Sequence, residues 1–101
     1  MLYENNKVSE IKIKNLKTQE EKTVDCDGVF VSIGREPATE FLKGKLDIDK
    51  FGYIVADEST KTSVDGVFAA GDVRTKALRQ VVTAAADGAT SVHFAEEYMD
   101  V

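Results

Sequence analysis

The apolar pattern of this chain changes its period only once. In the first three quarters, apolar side chains alternate with polar ones or gather in runs of four to six. From about Leu78 to Met99 they recur at three- and four-residue steps, at Leu78, Val81, Val82, Ala85, Ala89, Val92, Ala95 and Met99. A period near two belongs to a strand and one near 3.6 to a helix. The chain therefore reads as strands first and one long terminal helix, without the regular strand-helix alternation of a complete doubly wound sheet. Gly88 inside the helix costs about 1 kcal/mol relative to alanine, which suggests that another backbone passes close to it.

The strands can be placed from local signals. VSEIKI (8–13) alternates, and KTVDC (22–26) follows the polar segment KNLKTQEE, which predicts a hairpin with one wet face. VFVSI (29–33), bounded by Gly28 and Gly34, has the composition of a more deeply buried strand. The only proline, Pro37, biases Glu36 away from helical angles and marks a turn or crossing, the best internal boundary. Beyond it, GYIVAD (52–57) reads as a strand led in by Gly52, STKTSVDG as a polar connection, and VFAAG (67–71) as a second buried strand that ends on Asp72.

Charge and composition exclude several functions. With 18 acidic and 13 basic residues the net charge is -5, so no global basic field invites nucleic acid or anionic lipid. No apolar run approaches a membrane span and MLYENNKVSE lacks a secretion-signal pattern, so the expected location is cytoplasmic. Cys26, the single cysteine, cannot form an internal disulfide, and with one histidine no ligand set for structural zinc exists. The seven glycines, at 28, 34, 44, 52, 66, 71 and 88, never fall two apart, so the chain has no G-x-G-x-x-G turn.

A few residues can carry chemistry. Asp72 has two readings: a carboxylate held at a strand end to accept hydrogen bonds from ligand hydroxyls, or a turn aspartate bonding its own backbone. A helix beginning near Arg79 offers free N–H groups and a positive dipole end, and the Gln80 amide there either meets a ligand edge or is solvated. Arg74, Lys76 and Arg79 form a basic cluster, open to phosphate or simply solvated in a loop. Cys26 lies between Asp25 and Asp27, whose charges disfavour a thiolate, so it reads as an inert strand residue. His93, beside Val92 and Phe94 on the helix, reads as a surface or satisfied imidazole. No catalytic or metal-ligating residue stands out.

The succession VFVSIGREPAT, LDIDKFGYIVAD, TKTSVDGVFAAGDV and RQVVTAAADGATSVHFAEEY closely resembles the C-terminal third of the low-molecular-weight thioredoxin reductases, flavoproteins of the pyridine nucleotide-disulfide oxidoreductase class. T-S-x-x-G-V-F-A-A-G-D (62–72) and the Arg79-Gln80 pair are its most specific parts. The resemblance implies an α/β fragment: a β-hairpin and strands from an NADPH-binding domain with its crossing (1–38), then strands and one long C-terminal helix of an FAD-binding domain (39–101). It implies that Gly71 and Asp72 bind the ribityl or phosphate-linking region of FAD, and that Arg79, Gln80 and Val81 face the flavin pyrimidine ring. Ala38 departs from the asparagine usual after the crossing proline. In the parent enzyme NADPH would reduce FAD, and a C-x-x-C pair that this chain lacks would pass electrons to thioredoxin. The isolated chain is expected to be inactive. An alternative parent is a ferredoxin-type NADPH flavoreductase of the same fold, and a second alternative is a stand-alone, non-enzymatic binding module. Unpaired strand edges predict self-association as a homo-oligomer or strand-exchanged dimer.

Overall fold

Asn5 and Asn6 form the first turn, both at positive φ (49° and 65°). Two consecutive residues in that region give the hairpin turn whose twist matches its strands, and asparagine tolerates it better than most residues. The turn joins β1 (Leu2–Glu4) to β2 (Lys7–Lys14), which pairs in turn with β3 (Glu21–Asp25). The sheet is antiparallel in the order β1-β2-β3, with Glu10 opposite Asp25 and Lys14 opposite Glu21. The β2–β3 hairpin forms where expected, but its burial does not alternate, since β3 is exposed throughout and Val8 to Ile11 of β2 are all half-buried; β1 carries no sequence signal, because three residues are too few to show a period. Asn15 shapes the connection: its Oδ1 accepts the N–H groups of Lys17 (2.9 Å) and Thr18 (3.1 Å).

The computed structural model describes residues 1–100 and divides into two units, Met1–Gly34 and a second from Arg35 onward. Among the described residues, all the buried ones lie in the second unit. The expected buried strand at 29–33 does not form: Phe30 is 100% exposed and Ile33 93%, and neither belongs to a ladder. A β-branched, aromatic run suits a strand only when a neighbour supplies its hydrogen bonds and covers its faces. The described residues place none beside this run.

In the second unit the expected strands are reduced to single bridges. Ile54 bridges Ile48 antiparallel and Arg74 in parallel, and Phe68 bridges Lys61. Hydrogen bonds from Ile54 N–H to Val73 O and from Thr75 N–H to Ile54 O, both 2.8 Å, hold 52–57 against 73–75. Asp72 therefore does not finish a buried strand; it sits in a 3-10 turn, Gly71–Val73, that Gly71 enters at φ 85°. Ile54, Ala56 and Ala69 form the core, with Leu42 and Leu46 packed against it.

The helix α1 runs from Val81 to Met99, starting three residues later than the period suggests. Gln80 is its N-cap: the Gln80 backbone N–H donates to Thr83 Oγ1 (3.0 Å), and Ala84 N–H makes the first helical bond to Gln80 O. Asp100 closes it in the left-handed region. The apolar stripe read from the sequence is not the buried face. Val81 is 88% exposed and Val82 72%, whereas Asp87 is buried and Ser91 bonds Thr60 Oγ1 at 2.9 Å. Gly88 faces nothing that a Cβ would touch, so the expected close backbone is not there.

Candidate functional site

Two bends in the chain bring the candidate residues together. The 3-10 turn presents Asp72 and Val73, and the start of α1 presents Arg79, Gln80 and Val81. With Arg35, Glu36, Pro37, Ala38 and Tyr53 these line one cleft of about 530 Å³. Four of the five sequence-predicted site residues thus share a wall. The fifth, Gly71, lies buried behind it with its N–H directed at Asp87. The Asp72 carboxylate is half exposed and stands 4.0 Å from the Arg35 guanidinium, a loose, solvated pairing. The first N–H groups of α1, beginning with Val81, have no partner within the helix and point out of its end.

Arg79 is the most constrained side chain of the wall. Its guanidinium carbon lies 3.7 Å from the Tyr53 ring centroid. Its Nε donates to Asp72 O and its Nη2 to Arg74 O, each at 3.1 Å. A stacked arginine that also donates along its edge has few remaining rotamers. The cleft therefore presents a fixed cation, an exposed carboxylate and a helix N-terminus.

Behind this wall is a buried ionic cluster that sequence reasoning missed. Asp87 takes Arg74 in a bidentate pair, Nε to Oδ2 and Nη2 to Oδ1, both 2.8 Å. Its Oδ2 also accepts Lys76 Nζ (2.8 Å) and Gly71 N–H (2.9 Å). Arg74 is 1% exposed, and its Nη1 donates to Thr75 O at 2.8 Å. The hydrogen bonds from Arg74 hold the Asp87 carboxyl well below the usual carboxylate range, outweighing burial, and Lys76 adds to them. The Asp87 hydrogen bonds raise Arg74 in the same way. So Arg74 and Lys76 are neither solvated loop charges nor free for phosphate. One signal was available in the sequence: Asp87 is the only formally charged residue between Val81 and Ala95. A lone carboxylate amid small helix residues calls for a buried cation.

The other candidates stay apart from the cleft. His93 is exposed, 3.5 Å from Glu97 Oε1, and Cys26 is half-buried in the first unit. Among the described residues no group of His, Cys, Asp or Glu could hold a metal ion, and no helix is long and apolar enough to cross a membrane.

Residues 2–88 match the family model described as pyridine nucleotide-disulphide oxidoreductase. The chain belongs to that family. Within it, the chain is 47% identical over 94 residues to the "34.2 kDa protein in rubredoxin operon" of Clostridium pasteurianum and 49% identical over 94 residues to the thioredoxin reductase of Treponema pallidum. Each alignment covers 93% of this chain and 30% of the relative, so the chain spans under a third of the curated family members it matches. Among solved structures, the T. acidophilum thioredoxin reductase superposes with a TM-score of 0.79 at 40% identity, over 98% of this chain and 32% of that one. The Lactococcus lactis thioredoxin reductase gives 0.80 at 33% identity, over 99% and 33%. The three-stranded antiparallel sheet and C-terminal helix are thus a match to thioredoxin reductase structures.

Proposed function

We propose that this chain is the C-terminal part of a thioredoxin reductase-like flavoprotein and that its cleft is one wall of an FAD site. The observation that carries this reading is the convergence of Asp72 and Arg79–Val81 on one cleft in a member of this oxidoreductase family. The donor set fits a flavin. The Asp72 carboxylate can accept from ribityl hydroxyls, the Gln80 amide can both donate and accept at a pyrimidine edge, and the Val81 N–H at the helix end favours negative charge there. A cleft of about 530 Å³ suits a ring system of this size and is small for a whole dinucleotide.

When bound, FAD supplies electron transfer from NADPH towards a disulfide, with thioredoxin as the final partner in the parent enzyme. The role of this chain is to orient and electrostatically bias the flavin. With one cysteine it carries no dithiol of its own, and NADPH oxidation by the isolated chain is expected to be nil. In this reading the first unit is the end of an NADPH-binding domain, the parent is cytoplasmic, and the isolated chain self-associates through the edges of β1 and β3.

The test is an FAD titration of isotope-labelled chain followed by amide shifts. Shifts centred on Asp72, Gln80 and Val81, weakened about tenfold or more in Asp72→Ala, are the expected result for loss of charged hydrogen bonds. No shifts at millimolar FAD, or shifts centred on another surface, would overturn the reading.

A further inference from the structure

We infer that Asp87, a residue that does not line the cleft, is the positioning residue that fixes Arg79 in it; the inference rests on the flavin-wall reading only for what Arg79 then contacts. The connection is a continuous set of hydrogen bonds. Asp87 Oδ2 accepts Gly71 N–H at 2.9 Å, which anchors the entry of the 3-10 turn carrying Asp72. The same carboxylate grips Arg74 through two 2.8 Å bonds, which anchors the residue just past the turn. Arg79 then donates to the backbone carbonyls of Asp72 and Arg74, one inside the turn and one at its far end. Asp87 therefore holds both ends of the segment whose carbonyls hold Arg79.

The side-chain environment makes this role specific to the carboxylate. Four donors converge on two oxygens: Arg74 Nε and Nη2, Lys76 Nζ and Gly71 N–H. An amide in its place could accept from some of them but would direct its own NH₂ at a cation. The Tyr53 ring supports only one face of the Arg79 guanidinium, so the two carbonyls set its in-plane position. A turn released from Asp87 would leave Arg79 stacked but free to rotate. A side chain ordered only on binding costs about 2- to 10-fold in affinity.

The experiment uses the full chain and reads the Arg79 Nε–H resonance by NMR, assigned by its absence in Arg79→Lys. Asp87→Asn is compared with the double variant Arg74→Met/Asp87→Leu. The double change removes the Arg74–Asp87 pair together; Lys76, whose side chain is also buried beside Asp87, is the one charge left, and its long stem can carry it to solvent. With the α1 amide signals from Ser91 to Met99 retained, the expected result in both variants is an Arg79 signal that moves to the shift and exchange rate of an exposed arginine. FAD, added next, should bind these variants about 2- to 10-fold more weakly than wild type. An unchanged Arg79 signal in the folded double variant would overturn the positioning role, even if Asp87→Asn unfolds. Failure of FAD to bind the wild-type chain, with Arg79 order still dependent on Asp87, would remove the flavin reading and leave the positioning role standing.

Discussion

A buried carboxylate ringed by four donors is the costliest single group to disturb in this chain. Asp87→Ala would leave Arg74, 1% exposed, with only the exposed Glu58 carboxylate at 3.3 Å and would unpair Lys76, a loss of about 3–5 kcal/mol and comparable to the whole stability of a small domain. Urea unfolding should therefore find the second unit of Asp87→Ala unfolded or nearly so at pH 7, whereas Asp72→Ala should stay within about 0.5 kcal/mol of wild type. The pH dependence follows from the depressed folded pKa of Asp87. Its stabilisation is complete above the unfolded value of about 3.9, declines as pH falls below it, and vanishes below the folded value. The urea midpoint of the wild type should thus fall between pH 5 and pH 2, and Asp87→Asn should show a shallower fall. Asp57, lowered by its hydrogen bonds from Ser59, contributes in the same direction in both proteins. At φ 80°, with a Cβ landing 2.9 Å from the Tyr98 ring, Gly66→Ala should lower stability by about 1 kcal/mol or more and displace Tyr98.

Among the elements, β3 offers the clearest prediction. The bonds Asn15 N–H to Glu20 O and Cys26 N–H to Ser9 O fix the phase of the β2–β3 ladder, so the N–H of Thr23 points away from β2. Thr23→Pro should leave the hairpin intact while blocking addition of another strand to that edge. Sedimentation velocity across a concentration series should show more monomer for Thr23→Pro than for wild type; an identical distribution would remove this edge from any self-association. The same elements show what the sequence could convey. The β2–β3 hairpin was legible because Val8, Ile11 and Ile13 sit in a two-residue rhythm or close to it, and α1 because its apolar positions repeat every three or four residues. Its inner face was not legible. Small and polar residues, Ala84, Asp87 and Ser91, meet the chain there, and a hydrophobicity pattern points to Val81, Val82 and Val92, which face solvent. Burial by an ionic cluster leaves almost no trace in an apolar periodicity. The runs at 29–33 and 67–71 misled in another way, since composition reports what a segment can pack against and not whether a neighbour is present.

For the whole molecule, the two units differ sharply in how much they bury. All the buried described residues lie beyond Pro37, and the segment Gly28–Gly34 between the sheet and the second unit carries Phe30 and Ile33 in the open. Limited chymotrypsin treatment should cut first at Phe30, releasing a product that retains the α1 circular-dichroism signal. Initial cleavage within α1 would show instead that the ionic cluster does not confer the greater resistance. The cleft residues were legible from the motif at 62–72 and the Arg79-Gln80 pair, but Tyr53 beneath Arg79 was not, because it lies 26 residues upstream in an unremarkable strand-like run. That ring has an optical consequence. The chain contains no tryptophan and three tyrosines, and of these only Tyr53 lines the cleft, under a guanidinium 3.7 Å away. Near-ultraviolet emission from this protein is therefore tyrosine emission, and any molecule that lifts Arg79 from the ring or absorbs beside it will alter the signal of one identifiable fluorophore.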